Sequence, residues 1–208
     1  MQFVVLTTLA MWIYPGGSWP EPHATHYQFT ANFLSDLGRT ITFDGRSNMA
    51  SSILFGIALV TIGAALIAFA WGWSVFATER RARAAGIACA ILGSLSGLAF
   101  IGIGLTPWDR HLDAHNACVF AAFGALLFYV IALTIVMWRN HAPRSWLAID
   151  LVYLACVLAY VLIIALGPRL DTIHGRFVQV VTQKAIVYIS MLHIAALTSF
   201  AGRPRPSA

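Results

Sequence analysis

Residues 49–76 read MASSILFGIALVTIGAALIAFAWGWSVF, without one Asp, Glu, Lys or Arg between Met49 and Phe76. A helix rising about 1.5 Å per residue needs about 20 predominantly apolar residues to cross a hydrocarbon core of about 30 Å, and this run exceeds that. Working outward, runs of the same character fall at 84–106, 114–138, 145–167 and 177–200, with a shorter one at 1–14. The pattern predicts an all-α, polytopic membrane helical bundle with six transmembrane helices. It forms a single integral membrane domain over 1–208, with a long outer loop between helices one and two.

The whole composition agrees. Of 208 residues, 59% are hydrophobic and 10% charged, with a mean hydropathy of +0.76. A soluble domain carries about 25% charged residues. These figures exclude a secreted disulfide scaffold, a disordered chain and a soluble nucleic-acid binder, although a net charge of +5 and pI ≈ 9.5 would suit nucleic acid. Cys89, Cys118 and Cys156 all lie inside apolar runs and read as small hydrophobes, so no disulfide is expected. Segment 1–14 lacks the basic start and small-residue cleavage site of a signal peptide, and reads as a short first helix.

Positive loops resist translocation, so Lys and Arg set the orientation. With both termini cytoplasmic, the inner segments hold seven arginines (80, 81, 83, 139, 144, 203 and 205) against Glu79, a net +6. The outer segments hold five arginines (39, 46, 110, 169 and 176) against six acids, a net −1. The expected location is the inner (plasma) membrane, multi-pass, with both termini cytoplasmic.

The first outer loop, 15–48, is far longer than a turn requires, and long ordered loops usually carry function. Within it Asn32, Ser35, Asp36 and Arg39 recur at i, i+3, i+4 and i+7, while Tyr27, Phe29, Phe33, Leu37 and Ile41 supply apolar surface. This predicts an amphipathic helix at the outer interface. Gly93 and Gly97 form a GxxxG step, and Ala114, Ala117, Ala121 and Ala125 follow at spacings of three and four. Small faces of this kind serve tight packing of helices three and four, or homo-oligomerisation.

Ionisable groups inside a membrane are costly and are default site candidates. By rise per residue, Lys184 lies about 10 Å from the outer end of the last helix, and His193 about 10 Å from its inner end. Asp150 lies about 8 Å from the inner start of helix five, so it pairs with His193 or Arg144 rather than with Lys184. Lys184 is left to seek the outer anions Asp36, Asp109 and Asp113, and Asp36 and Lys184 should approach each other directly or through one group. Its bland alternative is a lysine snorkelling to the interface.

Histidines 23, 26, 111, 115 and 174 are all on the outer side. His111 and His115 share a helical face, a spacing used for metal ligation, but no Glu follows the first His and no metal is expected. His115, one turn deeper, should face inward, and Asp113 can cap helix four. A seryl nucleophile is conceivable at Ser35 with His111 or His115 as base. Ser35 equally suits hydrogen bonding or capping.

The string Asn32-Phe33-Leu34-Ser35-Asp36-Leu37-Gly38, with Asn48 before helix two, resembles the outer-loop signature of the domain-of-unknown-function 998 family and its relatives, the Frag1/DRAM/Sfk1 membrane proteins. Gly104-Leu105-Thr106-Pro107 with Asp109, His115 and Phe120 or Phe123, and Gln183-Lys184 in the last helix, are similar to that family's further motifs. The first helix is shorter than in such proteins, and Lys184 stands where Arg is common. The resemblance implies a prokaryotic six-helix bundle whose polar groups converge on the non-cytoplasmic side. The eukaryotic relatives are linked to lipid remodelling, lipid asymmetry and autophagy.

The expectation is therefore an outward-facing polar pocket for a lipid head group, drawn from Ser35, Asp36, Arg39, Asp109, His111, His115 and Lys184, with a separate intramembrane pair Asp150 and His193. A membrane lipid is the expected partner, with no cofactor and no nucleic acid. The catalytic residues, if any, are left unassigned. An intramembrane hydrolase or acyl transferase built on the same cluster is the alternative, and a non-catalytic accessory subunit is the third.

Overall fold

The computed structural model describes residues 2–77, 80 and 82–201. Met1, Glu79, Arg81 and the tail with Arg203 and Arg205 lie outside the described residues, so part of the inner charge count does too. The described chain is all-helical: α1 (Gln2–Ile13), a 3-10 turn (Leu34–Gly38), α2 (Met49–Phe76), α3 (Arg83–Leu105), α4 (Leu112–Arg139), α5 (Arg144–Leu166) and α6 (Ile173–Ala201). Five of these, α2 to α6, are long and apolar enough to cross a membrane. At 12 residues α1 is about 18 Å long, short of the hydrocarbon core, so length alone does not make it a sixth span.

Local chemistry explains where the helices stop. Beyond α1 come Pro15 and then Gly16 and Gly17 at φ of 116° and 85°, a left-handed conformation that glycine alone adopts without steric cost. A Cβ on Gly16 would sit 2.1 Å from the Ala24 carbonyl oxygen. Pro107 follows the end of α3, Pro143 precedes α5 and Pro168 follows it, each denying the ladder an N–H. His111 occupies the N-cap of α4 without a capping bond, so Asp113 stands in the first turn rather than at the cap.

Backbone packing is tightest between α2 and α3. A Cβ on Gly97 would lie 2.5 Å from the Gly63 carbonyl oxygen, and one on Gly93 would lie 2.3 Å from the Ala70 methyl and 3.1 Å from the Tyr129 ring. The GxxxG step therefore seats α2 as well as α4: the expected close packing of helices three and four is present at Gly93 on Tyr129 and Gly102 on Cys118, and the contact with α2 is additional. Large apolar side chains such as Trp71, Val75, Leu98, Val152, Leu166 and Leu192 stay exposed, because the surrounding solvent is hydrocarbon.

The outer loop is not the amphipathic helix expected. Only Leu34–Gly38 coils, as a 3-10 turn, and the start of α2 fixes it there. Asn48 donates to the Leu37 and Arg39 carbonyls at 3.0 and 2.8 Å, and Ser52 donates to the Gly38 carbonyl at 2.9 Å. Gly38 is required for contact: an added Cβ would lie 2.6 Å from the Phe55 ring. A longer helix would withdraw these carbonyls from α2.

Candidate functional site

Asn32 organises the loop floor. Its carboxamide donates to the Gly17 carbonyl at 2.9 Å and to Asp36 Oδ2 at 3.0 Å, and accepts from the Gln28 N–H at 2.9 Å. Its main-chain carbonyl accepts from the Lys184 ammonium and lies 3.2 Å from the Tyr27 hydroxyl. Asp36 Oδ2 also accepts from the Phe33 N–H at 2.9 Å, and Asp36 is fully buried. Asp36 and Lys184 thus meet at opposite ends of one asparagine rather than as a direct ion pair. Burial pushes the Asp36 carboxyl above its ordinary range, against the hydrogen bond from Asn32 and the Arg39 charge. Lys184 is 2% exposed and lies over the Tyr27 and Phe29 rings at 5.5 and 5.0 Å, a buried cation rather than a snorkelling one.

Asp109 ties the α3–α4 connection to the same loop. It accepts from the Thr40 hydroxyl at 2.7 Å, the Thr40 N–H at 3.1 Å and the Ile41 N–H at 3.2 Å. Burial works to raise its carboxyl, but these hydrogen bonds outweigh it and hold the group below the usual carboxylate range. Arg110 donates to the Thr40 hydroxyl at 2.8 Å. Arg39 lies against Phe43 and Trp108, 4.1 and 4.2 Å from the ring centroids.

Of the expected pocket residues, Ser35 and His115 line one cavity together. His115 is buried, whereas His111 is exposed. His115 Nδ1 is 2.8 Å from the Thr106 carbonyl oxygen, which can only accept, so Nδ1 carries the proton and neutral His115 keeps Nε2 as a free acceptor. Gln183 completes the polar wall. Its Oε1 accepts from the Leu34 N–H at 2.8 Å, which fixes the amide and leaves the NH2 group available. Ser35 is half-buried, and its hydroxyl makes no hydrogen bond among the described residues. Asp36, Arg39, Asp109 and Lys184 build the surrounding frame.

This cavity, of about 40 Å³, has a neighbour of about 60 Å³. Phe3, Leu59, Phe100, Phe123 and Val187 line both, so the two cavities are neighbours, one reaching Ser35 and His115 and the other Tyr153 and Ser190; together they are called the crevice. α1 and α2 bound it on one side and α6 on the other.

Below the crevice sits the inner polar cluster. His193 Nε2 is 2.9 Å from Asp150 Oδ1, so the acid takes His193 rather than Arg144. Thr134 reaches Asp150 Oδ2 at 2.5 Å, Tyr153 stacks on the imidazole at 3.9 Å, and the Tyr153 hydroxyl donates to Ser190 at 2.9 Å. Sequence reasoning missed Thr134, Tyr153 and Ser190. The signal was there: Tyr153 follows Asp150 by three and Ser190 precedes His193 by three, one turn along the same helix face. Among the described residues, no group of three or more His, Cys, Asp and Glu side chains could hold a metal ion.

Residues 3–199 match the family described as "Protein of unknown function (DUF998)", and the chain belongs to that family. No curated protein and no solved structure matches it.

Proposed function

We propose that this membrane protein binds a membrane lipid, taking an acyl chain into the crevice and holding the lipid's polar end beside Ser35, His115 and Gln183. The observation that carries the reading is the crevice itself. It is largely apolar, lies among helices long and apolar enough to cross a membrane, and ends beside Ser35, His115 and Gln183, each of which keeps a polar atom without a partner among the described residues. Asp36, Arg39, Asp109 and Lys184 do not line it, but they hold the loop and the helix ends around Ser35 in place. The same reading takes six spans counting α1 as the first, both termini cytoplasmic, an inner membrane of a prokaryote, and kinship with the Frag1/DRAM/Sfk1 proteins.

Burying a chain against protein gains little over lipid, because lipid tails are equally apolar, so selectivity has to come from the polar end. The test is native mass spectrometry of the purified protein. Lipid adducts are expected on the wild type and lost in Val187→Trp, whose indole fills the crevice where its two parts join. A wild type without adducts, or a folded variant that keeps them, overturns the reading.

A second reading rests on the free Ser35 hydroxyl facing the same cavity as a tautomer-fixed His115. Ser35 Oγ would attack an acyl ester while His115 Nε2 takes its proton, and the proton would then pass to the leaving alcohol. Covalent labelling of Ser35 by a fluorophosphonate, lost in His115→Ala, tests it. An unlabelled wild type removes it.

A further inference from the structure

Resting on the lipid reading above, we infer that the mouth of the crevice is a phosphate site in which Arg39 and Arg176 clamp an anionic lipid head group. Each guanidinium is laid against two aromatic rings. Arg39 lies 4.1 Å from Phe43 and 4.2 Å from Trp108, and Arg176 lies 4.8 Å from Trp19 and 5.5 Å from Phe33. Stacking of this kind fixes the plane of the guanidinium and leaves its N–H edge free to grip an oxyanion in two places.

Neither arginine has a carboxylate partner among the described residues, because the nearby acids are taken. Asp44 pairs with Arg46 at 2.6 Å, Asp171 pairs with Arg169 at 2.6 Å, Asp109 is held by Thr40 and Ile41, and Asp36 Oδ2 by Asn32 and Phe33, while Asp36 Oδ1 is buried without a donor. The Arg39 side chain makes one hydrogen bond, from Nε to the Ile41 carbonyl at 2.8 Å, and both its terminal NH2 groups are without an acceptor among the described residues. Arg176 Nε is buried with no acceptor, and so is the indole N–H of Trp108 beneath Arg39. Buried donors without acceptors are costly, and a ligand rich in acceptors would satisfy them.

Charge points the same way at the clamp itself: Asp36 is the carboxylate whose field both Arg39 and Arg176 share, while Arg110 donates to Thr40 and Lys184 to the Asn32 carbonyl. Arg39 and Arg176 are close enough to repel each other, and Asp36 lies in the field of both. Placement connects them to the crevice. Arg176 is seven residues before Gln183, two turns up the same face of α6, and Arg39 directly follows the turn that carries Ser35. A net-anionic head group suits this field, whereas a choline ammonium would add a further cation.

The experiment is native mass spectrometry of the full chain offered phosphatidylglycerol and phosphatidylcholine with identical acyl chains, with inorganic phosphate as competitor. Phosphatidylglycerol adducts should exceed phosphatidylcholine by about tenfold or more, the size expected for charge-assisted hydrogen bonds. Arg39→Gln and Arg176→Gln should each erase most of that preference, lowering phosphatidylglycerol adducts far more than phosphatidylcholine adducts. Arg176→Lys, which keeps the charge and loses the fork, should restore part of it and guards against a misfolded Gln variant.

Displacement by inorganic phosphate would mark a site for the phosphate group itself, and an arginine-dependent preference without displacement a site for the intact head group. Both support the clamp. Equal, arginine-independent binding of the two lipids overturns the clamp and leaves the lipid reading standing. Arginine-dependent thermal stabilisation by phosphate with no lipid adduct does the reverse.

Discussion

Replacing Asn32 by Ala removes the carboxamide that joins three parts of the outer loop. The Gly17 carbonyl, the Gln28 N–H and Asp36 Oδ2 lose contacts of 2.9, 2.9 and 3.0 Å at a fully buried position. At about 1 kcal/mol for each hydrogen bond, the loss is about 3 kcal/mol. At about 1.4 kcal/mol per tenfold, local opening of the loop becomes roughly 100-fold more frequent. Residues 15–48 are held to the helices by a small set of side-chain bonds from Asn48, Ser52, Asp109, Gln183 and Lys184, so the opening should stay local. Hydrogen–deuterium exchange of the detergent-solubilised protein reads it directly. Peptides covering 17–37 should exchange roughly 100-fold faster than in the wild type, while peptides from the middle of α4 keep their protection. A loop that exchanges as before would refute the role given to Asn32. Uniform acceleration through α4 would show instead that the loop is part of the global cooperative unit.

Asp150→Asn or His193→Leu alone should destabilise the protein by about 3 kcal/mol, because each strands a buried partner. The double apolar replacement of Asp150 and His193 should recover most of that in the same thermal melt, and a double variant as weak as the singles would contradict the pairing. Asp109→Asn should change acid stability. A carboxyl held below its unfolded value contributes stability at pH above about 3.9 and loses it as pH falls through the lower folded value. The variant should therefore be less stable at neutral pH and show a flatter acid limb, and an unaltered limb would remove Asp109 from the account. For orientation, Asp44→Cys and Arg144→Cys in a background without native cysteines should label from opposite sides of the membrane, and labelling from one side would discard the proposed topology.

The five long apolar helices were legible in the amino-acid sequence because hydrocarbon imposes a one-dimensional rule: any segment that crosses has to be apolar and long enough, and Pro107, Pro143 and Pro168 interrupt helices wherever they stand. Depth was legible for the same reason. A fixed rise per residue put Asp150 and His193 at one level and Lys184 at another, and the 2.9 Å contact and the separate lodging of Lys184 agree with that. The conformation of loop 15–48 was not. Its helical spacing at Asn32, Ser35, Asp36 and Arg39 is a local pattern, while the bonds that decide its shape come from Asn48, Ser52, Asp109, Gln183 and Lys184, up to 152 residues away. Asn32 as a hub, the crevice and the pairing of Ser35 with His115 on one wall arise only when α6 and the α3–α4 connection close on the loop. A contact between distant segments leaves no periodicity in either of them, so the tertiary structure alone decides which polar groups meet and which stay free for a ligand.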